Sequence, residues 1–400
     1  MVSRLRRTMV AAALVATAVL GVGSWASADA QTPLTGPPPG TAAWVADTVL
    51  GVPLPDPGKA SPAEVAAFFA DLPLARQRAL AVRHPQVVGN LDGAPLPLRY
   101  QANSLALAEE RAREDARAAD PALPDRDRQA AAARAERYAS LTGRQLLAFD
   151  PRGRGQVAEV FGDLTKDQRA AVLVPGSDVD LSSYDRASDG YTTLAGMAKA
   201  LRAESGDRVA VVAWAGYTTP LGLGVDVARE DLARAGAVRL DRMLAGLTPA
   251  TGPVTLFCHS YGSVVCGQAG PDPAQVSALV VYGSPGLGTD RADRLRVPVW
   301  AVQRNAEDWI SDVPNVSLFG FGHGTDPTSA GFHAHPVPST GSHGHSGYFA
   351  PGSASLTAFA RLALTGTTDV SGPTPDAGTP GATDVSGPTP DAGTPGATAA

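Results

Sequence analysis

From Arg144 onward the chain alternates short runs rich in β-branched and apolar residues with helical stretches, and this alternation limits the fold more than any other feature. The runs are QLLAF from 145, QVAEVFG from 156, AVLVPG from 171, RVAVVAW from 208, VTLFCHS from 254, ALVVYGS from 278 and VPVWAVQ from 297. The tight turn Asp150-Pro151-Arg152-Gly153 joins the first two as a hairpin. The later runs are separated by helical segments long enough for parallel crossovers. Unbroken apolar runs such as AVLV and ALVV suit strands buried on both faces, which a parallel sheet with helices on each side provides. The expected fold class is therefore α/β, a mostly parallel sheet with an antiparallel N-terminal hairpin, over residues 142–366.

Residues 61–141 read as helical. Ser61 is a cap, Pro62 occupies the first helical position and Glu64 closes a capping box, giving a helix over 63–72. Two further helices are expected over 103–119 and 125–141, with Pro121 and Pro124 breaking the chain between them. Nothing in this region forms a catalytic constellation, and its expected role is to pack on the domain that follows. Residues 31–60 read as a linker.

The two ends differ from the body. Arg4, Arg6 and Arg7 precede an apolar run from Met9 to about Val22, and Ala28-Asp29-Ala30 follows: the pattern of a signal peptide over residues 1–30. That run is shorter than the ~18 residues a spanning helix needs, and no later segment supplies one. A secreted or extracytoplasmic protein is expected, its export route left open by the adjacent arginines. Loss of the leader would take the formal charge from −6 to about −8. An acidic chain without a basic run argues against nucleic acid as a partner. From Thr368 a fifteen-residue unit, TDVSGPTPDAGTPGA, occurs twice in tandem. It holds one valine per unit, too little apolar surface to offset chain entropy, so residues 367–400 are expected to be a disordered spacer that could contact the cell envelope.

The fifth run leads into Cys258-His259-Ser260-Tyr261-Gly262-Ser263 ahead of a helical stretch over 264–269. A nucleophile elbow needs small residues two before and two after its serine, because the strand-to-helix turn is tight. Ser260 is thus the expected nucleophile, with Gly262 meeting the requirement and Cys258 standing where glycine is usual. An oxyanion hole would use the backbone N–H of Tyr261 and, after the third run, that of Ser177, where Gly176 permits close approach. The orienting acid should follow a late strand, which selects Asp308, with Glu307 and Asp312 as neighbours able to take the role. Five histidines come after it: His323, His333, His335, His343 and His345. His345, just ahead of Ser346-Gly347-Tyr348-Phe349 and a terminal helix over 353–364, is the expected base, and His343 its rival. The pairs His333/His335 and His343/His345 also admit a metal reading, but no zinc-binding motif accompanies them. No metal, nucleotide or flavin is called for. The two cysteines lie eight positions apart. A strand and helix packed ~10 Å apart would hold their Cα atoms beyond the ~7 Å limit for bridging, so two buried free thiols are expected.

These motifs together resemble an actinobacterial α/β-hydrolase family of unknown function, over about residues 60–365. The resemblance is carried by Pro85-Gln86-Val87-Val88-Gly89-Asn90-Leu91-Asp92-Gly93-Ala94-Pro95 with Arg99 and Ala102-Asn103, and by Trp214-Ala215-Gly216-Tyr217-Thr218-Thr219-Pro220. The elbow, Gly283-Ser284-Pro285-Gly286 and His345-Ser346-Gly347-Tyr348-Phe349 complete it, with a departure at Cys258. It implies a hydrolase fold with Ser260, Asp308 and His345 as the triad. It names no substrate. The expected activity is that of a serine hydrolase acting on a small-molecule or lipid-like acyl substrate, most simply a carboxylic ester. The contrasting expectation is an inert hydrolase fold serving as an extracellular binding module.

Overall fold

A computed structural model describes residues 30–186, 190–222, 224–312 and 322–367. The leader, apart from Ala30, and the repeat tail lie outside the described residues, so neither expectation is met or refused there.

Eight strands form one sheet in the order β1-β2-β4-β3-β5-β6-β7-β8. They are β1 (Leu146–Asp150), β2 (Gln156–Phe161), β3 (Arg169–Val174), β4 (Val209–Ala215), β5 (Val254–His259), β6 (Val276–Tyr282), β7 (Val299–Val302) and β8 (His335–Val337). β1 and β2 pair antiparallel, as do β2 and β4, and every later pairing is parallel. The seven expected strands are present, and β8 is an addition. Three residues with a central proline carry no readable period, and β8 survives because it lies at the edge, where a missing N–H costs no ladder bond.

β4 shows why a continuous apolar run makes a central strand. Val209, Val211, Ala213 and Ala215 enter the core on one side of the sheet, and Ala210, Val212 and Trp214 enter the core on the other. The helices are labelled α1 (Pro62–Ala70), α2 (Leu74–Arg83), α3 (Pro85–Gly89), α4 (Leu96–Ala119), α5 (Asp125–Ser140), α6 (Leu194–Glu204), α7 (Asp231–Thr251), α8 (Gly262–Ala269) and α9 (Ala354–Thr365). Leu194, Met197 and Leu201 of α6 and Phe359 and Leu362 of α9 cover the first face. Leu240, Met243 and Leu244 of α7 with Val264 and Val265 of α8 cover the second.

The helical region opens as its cap signals require: Ser61 accepts from the Glu64 N–H, and the Glu64 carboxylate accepts from the Ser61 N–H. It has its own small core around Trp44, Val65, Phe69 and Val88. It is nonetheless continuous with the sheet, since Leu96, Ala106 and Leu107 of α4 belong to the two sheet cores. Two asparagines fasten it to β1. Asn90 exchanges hydrogen bonds with both the N–H and the carbonyl of Phe149, and the Asn103 amide donates to the carbonyls of Gly89 and Leu146. A Cβ on Gly89 would lie 2.1 Å from Asn103 Oδ1, so the lock requires glycine there. The segment from Pro85 to Asn103 thus satisfies backbone groups along β1, an edge strand of the sheet.

Candidate active site

β5 delivers the chain to Ser260, whose φ of 50° places a non-glycine residue in the left-handed region between the strand and α8. That strain is what a strand-to-helix elbow imposes on the residue at its apex. Gly262 is needed because a Cβ there would lie 2.5 Å from the Pro175 carbonyl oxygen. Gly176 is needed for the reciprocal reason: a Cβ would stand 2.6 Å from that of Ser260. The loop after β3 is therefore pressed against the elbow at Gly176, the residue before Ser177. Among the described residues no acceptor takes up the N–H of Tyr261 or that of Ser177.

Cys258 and Cys266 are joined by a disulfide, which corrects the expectation of two free thiols. The 10 Å spacing of packed elements does not apply at an elbow, because α8 starts directly from the end of β5 and its first turns stay close to it. The two Cα atoms are 6.6 Å apart, within bridging range.

Asp308 follows β7, and its side chain is fully enclosed. One carboxylate oxygen meets His345 Nδ1 at 2.7 Å and accepts from the Ile310 N–H at 3.0 Å. The other accepts from the Tyr348 hydroxyl at 2.6 Å. Burial works to raise the Asp308 carboxyl, but the hydrogen bonds from His345 and Tyr348 outweigh it and hold the group below the ordinary carboxylate range. With a carboxylate on Nδ1, His345 carries its proton there and presents Nε2 as a base. That Nε2 is buried and has no hydrogen-bond partner, so Ser260 does not donate to it in this conformation. Active-site contacts of this kind commonly tighten only when substrate is bound.

Two rings pack on His345, and a third residue fixes the backbone just before it. Trp309 lies with its ring centroid 4.4 Å away, His259 with its centroid 4.7 Å away, and Asn305 donates to the carbonyl of Gly344. Gly283, with φ 55°, leaves the room: a Cβ there would lie 2.9 Å from His345 Cε1 and 3.3 Å from His259 Nε2. Beneath them Tyr282 stacks on His259 and packs among Phe349 and Phe359.

Asp308 and His345 thus meet directly, and His345 packs on Gly283 next to Tyr282, whose carbonyl accepts from the Ser260 N–H at 3.0 Å, while the rivals disperse. Glu307 pairs with His343, both exposed on the surface, and the Asp312 side chain lies outside the described residues. His323 donates to the Val227 carbonyl, His333 meets Arg291 and His335 packs with its ring tilted against Trp300. No group of three metal-ligating side chains occurs among the described residues. Sequence reasoning gave no role to His259, Trp309 or Tyr348. The spacing of Tyr348 three residues after His345 was the available signal, since a turn of that length can return a hydroxyl to the same carboxylate.

Residues 150–318 match a family described as alpha/beta hydrolase. An uncharacterized protein of Mycobacterium tuberculosis is 37% identical over 160 residues, covering 38% of this chain and 59% of that protein. A second uncharacterized protein of that species is 27% identical over 375 residues, covering 78% of this chain and 56% of the relative. The chain thus spans under two thirds of the length of these relatives. Among solved structures, the esterase domain of a Rhodothermus marinus protein is 12% identical with a TM-score of 0.29, covering 53% of this chain and 92% of that one. The strand order, the elbow after β5 and the match over residues 150–318 agree on an α/β-hydrolase fold, and over that segment the chain is similar to uncharacterized mycobacterial proteins.

Proposed function

We propose that this protein is an exported serine hydrolase that cleaves an ester or related acyl bond through Ser260, His345 and Asp308. The observation that carries this is the Asp308–His345 contact of 2.7 Å with the far ring nitrogen left free, together with a strained serine at the strand-to-helix turn. His345 Nε2 would take the Ser260 proton as Oγ attacks the acyl carbon, and Asp308 would hold the tautomer and stabilise the imidazolium. The unpaired N–H groups of Tyr261 and Ser177 suit the developing oxyanion. Protonation of the leaving group by His345 gives an acyl-enzyme, and water activated by the same nitrogen releases the acid.

Trp309 is 39% and Leu221 52% exposed, although both are large apolar residues on loops flanking the elbow. Such a rim suits a lipid-like acyl or alcohol group rather than a charged one. Among the described residues no helix is long and apolar enough to cross a membrane. Export rests on the leader pattern, with removal after Ala30. A fluorophosphonate probe tests the reading: it should label the folded chain and fail to label Ser260→Ala. Folded, unlabelled wild-type protein would instead favour an inert binding module.

A further inference from the structure

The residue that would become the first of the mature chain is already docked. The Gln31 N–H donates to an Asp226 carboxylate oxygen at 3.0 Å, and the Gln31 side-chain amide donates to the Thr219 carbonyl at 3.1 Å. Leu34 follows, with its N–H on the Thr218 hydroxyl. Arg154 completes the cradle by donating to Gln31 Oε1, and its own charge is balanced by Asp180 at 2.9 Å. Among the described residues no lysine, arginine or histidine pairs with Asp226, and its carboxylate meets only Gln31.

The loop receiving Gln31 is tied to the elbow on two sides. Toward the β3 loop, the Tyr217 hydroxyl donates to the Pro175 carbonyl, the Asp178 N–H to the Pro220 carbonyl, and the Thr219 hydroxyl to the Val179 carbonyl. Toward the nucleophile, the Tyr261 hydroxyl donates to the Arg229 carbonyl at 2.6 Å. These ties reach Tyr261 and bracket Ser177 in the chain, at Pro175 and Asp178.

We propose that leader removal after Ala30 converts the Gln31 amide into an α-ammonium that pairs with Asp226 and sets the loops forming the oxyanion hole. Water breaks the Ala30–Gln31 peptide bond. Its hydroxyl goes to the Ala30 carbonyl carbon and a proton to the nitrogen, which takes a further proton from solvent to become an ammonium at neutral pH. A neutral donor facing a lone carboxylate becomes a charged one, and a charge-assisted hydrogen bond is about twice as strong as a neutral one. Processing would thereby switch the enzyme on as well as free it. The inference rests on the leader reading and deepens the proposed function.

The test compares chains beginning at Gln31 with chains that keep Ala28-Asp29-Ala30 in front, each with and without Asp226→Asn. The readouts are melting temperature at low salt and the rate of fluorophosphonate labelling. The Gln31 chain should melt higher and label about threefold or more faster than the extended chain. Asp226→Asn should erase that advantage while changing the extended chain little. Cyclising Gln31 to pyroglutamate, in which the amine displaces ammonia from the side-chain amide, should act like the extension. Equal melting of the Gln31 and extended chains, or an Asp226→Asn effect of the same size in both, would overturn the proposal. So would amino-terminal sequencing of exported protein that starts elsewhere. The melting comparison stands even if no labelling occurs, which separates failure here from failure of the hydrolase reading.

Discussion

His259 Nε2 donates to the backbone carbonyl of His345 across 2.8 Å, so the residue before the proposed nucleophile Ser260 holds the proposed base. Burial, aided by repulsion from His345, lowers the His259 imidazolium to about 3, so the ring is a neutral donor at neutral pH.

His259→Ala should therefore reduce kcat about tenfold, the equivalent of ~1.4 kcal/mol in the barrier, with KM little changed. His259→Gln, which keeps a donor, should recover part of the loss and leave the neutral-range limb of the pH–rate profile in place. A KM effect with kcat intact would show that His259 serves substrate binding instead.

Tyr348 governs the acid side of stability. A carboxylate held below its free value of about 3.9 contributes stability that is complete above that pH and is lost as pH falls through the folded value. Tyr348→Phe removes a 2.6 Å donor from Asp308 and so raises its folded value. The variant should lose about 1.5–3 kcal/mol above pH ~4 and begin acid unfolding at a higher pH than wild type. Superimposable acid-unfolding curves would show that the hydroxyl does not hold the carboxylate.

Period and turn chemistry made most of the sheet legible, because strands such as 209–215 are apolar on both faces and must be central. The capping box at Ser61 was equally plain. Three kinds of information were not. β8 is too short to carry a pattern. The disulfide depends on the 6.6 Å approach within an elbow, which a generic strand–helix spacing misjudges. His259 and Trp309 act through ring packing against His345, and such contacts between distant chain segments leave no spacing to read.

Glu307 and His343 reproduce the Asp308–His345 pairing at the surface and should matter little. Their contact of 3.0 Å is between side chains 63% and 73% exposed, and such pairs contribute ~0–1 kcal/mol. His343→Ala and Glu307→Gln should each leave kcat/KM within about threefold, while His345→Ala and Asp308→Asn abolish most turnover. Retained activity in folded His345→Ala, with loss in His343→Ala, would exchange the two assignments.

The disulfide gives the last prediction. Cys258 sits two residues before a serine held at positive φ, and Cys266 lies inside the helix that follows, so the bridge closes the turn that imposes the strain. Both cysteines are fully buried, so reductant should reach them only as fast as the protein opens. Thiol titration of the denatured, unreduced chain should find no free thiol, and prior reduction should reveal both. Cys258→Ala with Cys266→Ala should cost about 2–3 kcal/mol, the chain-entropy value for so short a loop. It should also lower kcat, since an elbow freed of its clamp relaxes Ser260 toward ordinary backbone angles and away from His345. Two free thiols in the unreduced chain would remove the clamp, and unchanged kcat in the double variant would confine it to stability.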